Sequence, residues 1–264
     1  MTNEWGGAAA SADPIYAAVG IYRSYGQVQA LDGADFEVYP GQVQALIGDN
    51  GAGKSTLVKI MSGAESPDSG TLKFEGKRLV LPNPLYARER GIETVFQDLA
   101  LANHLDPIQN LYLGREVMAR GLLGKLGFMQ RPVMRAAGKQ AFDELGATVR
   151  DFEGMVMSMS GGQRQAIAVA RAAAWASKVI FLDEPTAALG VVQTKGVLDL
   201  IRRIRDKGVG VVLISHSMPE VLEVSDTIHV MRQGRRVAIY QAEDTNIEEL
   251  VGAMTGALDG KEVA

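Results

Sequence analysis

Hydrophobic and polar positions follow two different patterns along this chain. Early in the chain, apolar residues alternate with polar ones in short runs, and turn residues separate the runs at close spacing. This pattern predicts an antiparallel β layer, with strands at 16–22, 27–31, 34–38, 71–74 and 78–80. Denser apolar runs predict further strands at 43–47, 92–96, 179–182 and 209–215. The last two are wholly or almost wholly apolar, as is typical of buried parallel strands.

Helix-like segments lie between the denser runs. They are predicted at 56–61, 111–118, 131–145, 163–176, 197–205, 219–224 and 247–254, and a hairpin is predicted at 227–240. Strands that alternate with helices predict a parallel sheet with helices on both faces. Between about 99 and 161 the chain is mainly helical, and we interpret this segment as an insertion. The fold class predicted from the pattern is therefore α/β.

Composition sets limits on this interpretation. The 264 residues carry a net charge of −4, contain no cysteine, and include no apolar run near the roughly 20 residues that span a bilayer. This net charge gives no sign of a nucleic-acid partner. We expect a disordered tail at 1–13 and a flexible tail at 256–264 around a single domain at 14–255, and the start of the chain does not resemble a signal peptide.

A glycine-rich loop joins the strand predicted at 43–47 to the helix predicted at 56–61. Its glycines let backbone N–H groups point at phosphate oxygens, and the helix start adds its positive dipole end. Lys54 is expected to reach the β- and γ-phosphates, and the Ser55 hydroxyl to hold Mg²⁺. A chance match would be a simple Gly-rich turn, but the strand-loop-helix context favours a nucleotide site. The loop fits G-x-x-x-x-G-K-[ST] and reads Gly48-Asp49-Asn50-Gly51-Ala52-Gly53-Lys54-Ser55-Thr56.

Polar side chains follow three other predicted strands, at the edge where open α/β sheets bind ligands. Asp183 is expected to hold Mg²⁺ through water, unless it only caps the next turn, and Glu184 to accept a proton from an attacking water. Gln97 would meet Mg²⁺ or the attacking water, and His216 would reach a γ-phosphate. An isolated Gln or His is more often structural. The roles expected for Gln97 and His216 therefore rest on the nucleotide site that the glycine-rich loop indicates.

The run Ser160-Gly161-Gly162-Gln163 opens an Ala-rich segment that is predicted to be helical. A serine and two glycines at a helix N-terminus can bind an anion, although alone they equally suit a simple N-cap. Two further histidines receive no role: His104 is predicted on a loop and His229 on a strand.

The motifs stand in one order along the chain: phosphate loop, glutamine, Ser-Gly-Gly-Gln, Asp-Glu after a strand, and histidine. This order closely resembles the ATPases of ABC transporters over residues 15–254, and the Ser-Gly-Gly-Gln signature distinguishes them from P-loop kinases and GTPases. The resemblance implies a P-loop NTPase (RecA-like) parallel sheet core with an antiparallel β subdomain and a helical subdomain insertion. It also implies ATP and Mg²⁺ as cofactors.

The same resemblance implies roles for individual residues. The adenine-stacking aromatic matches Tyr25, with Tyr22 as a competing candidate. The remaining matches are Gly48 to Thr56 for the Walker A loop, Gln97 for the Q-loop glutamine, Ser160 to Gln163 for the signature, Asp183 and Glu184 for the Walker B pair, and His216 for the switch histidine. Catalysis is thus expected from Lys54, Gln97, Glu184 and His216, and metal binding from Ser55, Gln97 and Asp183.

The chain departs from the family pattern at two positions. Met159 stands where Leu is usual, which conserves volume. Gly190 stands where the family usually has an Asp that helps to join two cassettes.

Finer likeness is to bacterial sugar importers of the ribose and fructose type. It is carried by residues 41–56, 94–98, 113–116 and 250–254. It implies a peripheral protein on the cytoplasmic face of the inner membrane, with three partners: a second copy that docks head to tail on ATP, a membrane permease, and indirectly an extracytoplasmic sugar-binding protein. The alternatives are a cassette for amino acids or lipids, an exporter, a non-transport ABC ATPase, and a regulatory module with an inactive site.

Overall fold

A computed structural model describes residues 13–147, 149, 151–187 and 189–257 of the chain. The tails predicted at 1–13 and 256–264 lie outside these ranges, except for residues 13, 256 and 257.

A six-stranded sheet forms the centre of the fold. Its strands are β3 (Val43–Gly48), β6 (Ile92–Val95), β7 (Val179–Asp183), β8 (Gly210–Ile214), β9 (Thr227–Arg232) and β10 (Arg235–Gln241). They are arranged in the order β10-β9-β3-β8-β7-β6, and every neighbouring pair is parallel except the β9–β10 hairpin. The residues of β3, β7 and β8 are all buried, as the apolar runs of β7 and β8 predict, and β3 buries Gln44 together with its apolar residues.

An antiparallel sheet of four strands packs beside this core. It contains β1 (Tyr16–Tyr25), β2 (Val28–Val38), β4 (Ser69–Phe74) and β5 (Lys77–Leu79), in the order β2-β1-β4-β5. The strands predicted at 27–31 and 34–38 form a single strand, β2. Asp32 and Gly33, which lie between the two predicted strands, are part of β2, where Gly33 has φ 77° and the β1–β2 register shifts nearby.

Helices cover both faces of the central sheet. They are α1 (Lys54–Met61), α2 (Pro84–Arg88), α3 (Pro107–Tyr112), α4 (Leu122–Lys125), α5 (Arg131–Leu145), α6 (Gly161–Trp175), α7 (Val191–Asp206), α8 (Met218–Val224) and α9 (Ile247–Thr255). Among the described residues, no helix combines the length and the apolar character that crossing a bilayer requires.

The prediction of a helix at 111–118 is wrong, because the helix in this region is α3 (Pro107–Tyr112). The Asp106 carboxylate accepts a hydrogen bond from the Gln109 N–H at 2.7 Å, and Gln109 Oε1 accepts one from the Asp106 N–H at 3.1 Å. This capping box starts α3 four residues earlier than predicted. The helix then ends at Tyr112, because Leu113 has ψ 117° and Gly114 has φ 76°.

Three apolar clusters hold the layers together. One joins the antiparallel sheet and α1 to one face of the central sheet, where the buried Tyr16 hydroxyl donates to the Met61 carbonyl at 2.6 Å. A second lies between the opposite face and helices α3, α5, α6 and α7. A third packs α8 and α9 on β9 and β10. The chemistry-bearing loops are therefore supported by packed elements on both sides.

Candidate active site

Three parallel strands end together at one edge of the central sheet. Ile214 in β8 pairs with Leu46 in β3 and with Asp183 in β7. The residues that follow these strands therefore emerge side by side: the glycine-rich loop after β3, Glu184 after β7, and Ser215 with His216 after β8. The structure thus places the predicted edge residues on neighbouring strands, where open α/β sheets bind their ligands.

The glycine-rich loop has a backbone that requires its glycines. Gly48, Gly51 and Gly53 have φ angles of 153°, 82° and 101°. A Cβ on Gly48 would lie 2.3 Å from the Met231 carbonyl oxygen, and one on Gly53 would lie 2.6 Å from that of Ala30. The loop can therefore pass between β2 and β9 only without side chains at these positions. It ends at Gly53, the N-cap of α1, which leaves the first N–H groups of that helix available to an anion.

Lys54 folds back over the loop that precedes it. Its ammonium donates hydrogen bonds to the carbonyl oxygens of Gly48 at 2.6 Å and Asp49 at 3.0 Å. Burial lowers the pKa of Lys54, whereas the carboxylates of Glu184, Asp183 and Asp49 act in the opposite direction. A cation is therefore held at the mouth of the loop, facing the acidic end of β7.

Glu184 adopts an unusual backbone conformation. Its φ of 52° lies in the left-handed region, which is unfavourable by about 1–2 kcal/mol for a residue with a side chain. Its N–H donates to the Ile214 carbonyl at 2.9 Å, which ties the turn after β7 to β8. Its carboxylate lies 2.7 Å from Nδ1 of His216, whose side chain is 74% exposed. The fold thus holds a partly buried carboxylate against an imidazole that faces solvent.

Asp183 and Ser55 each carry oxygen atoms of the kind that a divalent cation prefers. Burial, followed by the neighbouring Glu184 carboxylate, raises the pKa of Asp183, while Lys54 and Lys59 act to lower it. Among the described residues, none donates a hydrogen bond to the Asp183 carboxylate. Ser55 is exposed on the first turn of α1. In the same ranges, no three or more carboxylates and imidazoles form a cage that could hold a metal alone, so Mg²⁺ would need phosphate oxygens and water as further ligands.

Gln97 is exposed, two residues beyond the end of β6. The chain after it is fastened by Arg171 of α6, whose guanidinium donates to the carbonyls of Ala100 at 2.8 Å and Leu99 at 3.1 Å. Sequence reasoning missed Arg171, because an arginine within an Ala-rich helix gives no local signal of a contact 71 residues away. The contact ties the segment directly after Gln97 to the helix that begins with the Ser-Gly-Gly-Gln run.

The Ser-Gly-Gly-Gln run forms a capping box at the start of α6. Ser160 Oγ accepts from the Gln163 N–H at 3.3 Å, and Gln163 Oε1 accepts from the Ser160 N–H at 3.0 Å. The Ser160 hydroxyl hydrogen and the N–H groups of Gly161 and Gly162 remain available to an acceptor. Preceding them, Met159 is partly buried against the apolar cluster that contains α6.

Within one chain this run does not join the glycine-rich loop. Helix α6 packs on β6 and β7, whereas the loop follows β3. Strand β8 lies between β3 and β7, so strand spacing alone separates the two elements by about 10–14 Å.

Gln193 of α7 lies close to both the Ser-Gly-Gly-Gln run and Gly190, the second position at which the chain departs from the family pattern. A Cβ on Gly162 would lie 2.5 Å from Gln193 Cγ, and a Cβ on Gly190 would lie 2.8 Å from Gln193 Oε1. Gly190 is the N-cap of α7 and provides no side-chain cap. No sequence pattern singles out Gln193, since the contact forms only when α6 and α7 pack.

The two candidate aromatics have different surroundings. A Cβ on Gly33 would lie 3.0 Å from Tyr22 Oη, so the Tyr22 ring lies over β2. The Tyr25 hydroxyl instead donates to the Glu65 carboxylate, in the loop that follows α1. Tyr25 rather than Tyr22 is therefore joined to the end of the helix that carries the glycine-rich loop.

Comparison with known proteins decides the family. The model of the ABC transporter family matches residues 31–187, which is more than half of the chain. The chain belongs to the ABC transporter family. This membership confirms the resemblance drawn from the motifs, and with it the expected ATP binding and the expected enzyme class, an ATPase.

Relatives of this ABC cassette have names from sugar import, as the finer likeness predicted. It is 48% identical to the fructose import ATP-binding protein FrcA of Rhizobium meliloti, over 93% of this chain and 95% of the relative. It is 45% identical to the xylose/arabinose import ATP-binding protein XylG of Sulfolobus acidocaldarius, over 91% and 94%. It is 38% identical to the ribose import ATP-binding protein RbsA of Bacillus licheniformis, where it spans 89% of its own length but only 47% of the relative.

Solved structures confirm the predicted fold class. The ADP conformation of MJ1267, an ATP-binding cassette of an ABC transporter, superposes with a TM-score of 0.77 at 25% identity, over 96% of this cassette and 98% of MJ1267. The dimeric MJ0796 cassette bound to ADP and Pi superposes with a TM-score of 0.72 at 21% identity, over 86% and 98%. At 21% identity, the similarity to MJ0796 is evidence for the fold alone.

Proposed function

We propose that this ABC cassette hydrolyses ATP to drive the import of a sugar through a separate membrane permease. The observation that carries the catalytic part is the Glu184–His216 pair, which lies beside the glycine-rich loop at one edge of the sheet. The cargo class is supported by relatives named for fructose and for xylose or arabinose import, each of which aligns with more than nine-tenths of this chain.

In this proposal the chemistry is divided among residues that the sheet edge brings together. Glu184 accepts the proton of the attacking water, and His216 orients the Glu184 carboxylate. Lys54 leaves the loop carbonyls and donates to the β- and γ-phosphates. Ser55 and Asp183 would hold Mg²⁺, which would supply positive charge against the charge that develops on the transferred phosphoryl group.

Each ATP lies between two copies of the cassette, arranged head to tail. The signature residues of one copy meet the nucleotide on the other copy's glycine-rich loop, through the Ser160 hydroxyl and the free N–H groups of Gly161 and Gly162. The separation of these elements within one chain supports a shared site, since neither half surrounds a nucleotide alone. Hydrolysis then requires closure of the pair, which couples chemistry to movement.

The helical segment between β6 and α6 is the proposed docking site for the permease. It contains a cavity of about 450 Å³ with an apolar lining that includes Leu105, Ile108, Tyr112 and Met134. Gln97 stands at the base of this segment, so movement of the permease reaches the site through Gln97 and the Arg171 contacts. The cassette then lies on the cytoplasmic face of the inner membrane and depends indirectly on an extracytoplasmic sugar-binding protein.

The test is to isolate the cassette from its native membrane with the subunits that bind it. We expect a membrane permease to co-purify, and phosphate release by the reconstituted complex to rise when a sugar-loaded binding protein is added. The same complex bearing Glu184→Gln is the control and should not respond. Stimulation by an amino-acid or lipid carrier instead of a sugar carrier would overturn the cargo, and absence of any permease would overturn the transport role.

A further inference from the structure

We propose that Glu65 and Arg23 are positioning residues, which hold the Tyr25 ring as a preformed platform for the nucleotide base. The inference rests on the proposed function, because it requires ATP to bind at the glycine-rich loop. No sequence motif marks Glu65 or Arg23.

The Tyr25 side chain is held at its hydroxyl end. It is the last residue of β1, and 42% of it is exposed. Its hydroxyl donates to Glu65, and this bond is the main reason that the pKa of Glu65 lies below its ordinary value. A ring that is anchored by both its backbone strand and its hydroxyl cannot sweep through its rotamers, although much of it faces solvent.

One face of the Tyr25 ring is already covered. The Arg23 guanidinium carbon lies 5.0 Å from the ring centroid, a distance at which a cation is attracted to an aromatic face. Arg23 is itself fixed, since Nη1 donates to Asp68 at 2.8 Å and Nε lies 3.6 Å from Glu65. Asp68 also accepts from the Ser24 N–H at 2.7 Å. The opposite face is left for a planar base, which would complete a stack of guanidinium, phenol and base.

The same carboxylate ties the platform to the phosphate end of the site. Glu65 Oε1 lies 3.4 Å from Lys59 Nζ, and the Glu65 N–H donates to the Lys59 carbonyl at 3.1 Å. Lys59 is on α1, the helix that starts at Lys54 directly after the glycine-rich loop. The base platform and the phosphate loop are therefore fixed to one rigid helix, which sets the distance between the two halves of the nucleotide before it binds.

The experiment compares ATP with inorganic triphosphate, which has no base. Tyr25→Phe removes the hydroxyl but keeps the ring, Glu65→Ala removes its acceptor, and Tyr25→Leu removes the platform. We expect Tyr25→Leu to weaken ATP binding about 5- to 100-fold through lost stacking, and the other two variants to weaken it about 3- to 10-fold through lost preorganisation. The double variant Tyr25→Phe/Glu65→Ala should be no weaker than Glu65→Ala alone, because Tyr25→Phe removes only a bond that Glu65→Ala has already removed.

Triphosphate affinity should stay unchanged in all these variants, and both triphosphate affinity and thermal unfolding should stay unchanged in the control Glu243→Ala, an exposed carboxylate on another part of the surface. If Tyr25→Leu binds ATP like the unaltered protein, Tyr25 is not a platform for the base and this inference is overturned, while the proposed function stands. If Tyr25→Leu weakens ATP binding while Tyr25→Phe and Glu65→Ala do not, the positioning role is overturned and the proposed function stands. Equal losses for ATP and triphosphate would also overturn it, since they indicate a general structural role.

Discussion

The Nδ1 atom of His216 lies 2.7 Å from Oε2 of Glu184, although the two residues are 32 positions apart in the chain. Their contact exists because β7 and β8 are parallel neighbours that end level with each other. Glu184 reaches it from a left-handed backbone, a strained conformation of the kind that persists where the surrounding structure determines it. The carboxylate is thus oriented before any water or nucleotide arrives.

Replacement of Glu184 by Gln should stop turnover without loss of nucleotide binding. Gln keeps the shape of the side chain but cannot accept the proton of the attacking water, so we expect phosphate release to fall about 10²- to 10⁴-fold. ATP should then accumulate between two closed copies, detectable as a dimer by size-exclusion chromatography. His216→Ala should lower turnover less, because the carboxylate remains. Turnover at the unaltered rate in Glu184→Gln would contradict the assignment of the base.

Replacement of Lys54 by Ala should abolish ATP binding itself. The ammonium is the only charged donor that the loop carries, and it also bonds the carbonyls of Gly48 and Asp49. Titration with a fluorescent ATP analogue checks the loss, and Lys73→Ala, an exposed lysine on β4, is the matched control. Binding that is weakened in both variants equally would point to a general charge effect instead.

The two glycines of the signature should respond differently to Ala. A Cβ on Gly162 meets Gln193 at 2.5 Å, so Gly162→Ala should lower the free energy of unfolding by about 1–3 kcal/mol through overpacking. A Cβ on Gly161 meets nothing within 4 Å, so Gly161→Ala should leave the fold intact. The methyl group would nevertheless stand where the second copy's ATP approaches, and ATP-driven dimer formation should fall.

Urea unfolding and size-exclusion chromatography with ATP separate these two effects. The double variant Gly162→Ala/Gln193→Ala should recover much of the lost stability, because the obstructing side chain is gone. No recovery would show that Gln193 is not the obstacle.

His229 should make stability dependent on pH. It is 2% exposed in β9, and burial, followed by the charge of Arg236, lowers its pKa well below 6.5. Nδ1 lies 3.5 Å from the Arg236 guanidinium, which only donates, so the proton of the neutral ring is on Nε2, and that atom has no partner among the described residues. Arg236 is in turn paired with Glu37.

Because the folded pKa is depressed, the unfolded chain binds the extra proton first as pH falls. The free energy of unfolding should therefore decrease below about pH 6.5, by at most ~1.4 kcal/mol per pH unit from this group. His229→Gln should remove that part of the slope in urea unfolding between pH 7 and 5. His104→Gln, on an exposed loop, is the matched control, and an equal change in both variants would contradict the role of burial.

Replacement of Gly190 by Asp tests the departure at the start of α7. An Asp there can accept from the first free N–H groups of the helix, so we expect a gain in the free energy of unfolding of a few tenths of a kcal/mol. The new Cβ meets only the flexible end of Gln193, which can turn away. A loss of more than about 1 kcal/mol would show that the position requires glycine.

Local patterns in the sequence were sufficient for the parallel core and for the glycine-rich loop. Unbroken apolar runs identify buried strands because both faces of such strands are covered, and the loop residues Gly48 to Ser55 act through their own backbone and order. The edge positions of Asp183, Glu184 and His216 follow from the same rule, since each stands at the end of a strand or within two residues after it. Local patterns failed at 111–118, where apolar spacing suits a helix but the Asp106 capping box starts the helix earlier.

Only the tertiary structure decided which of these residues touch. The Glu184–His216 contact depends on strand order, the Arg171 contacts with Leu99 and Ala100 depend on how α6 packs, and the attachment of Tyr25 to Glu65 depends on where α1 ends against β1. Each joins residues at least 32 positions apart. Sequence spacing cannot set such distances, because they follow from the packing of whole elements rather than from the period of any one of them.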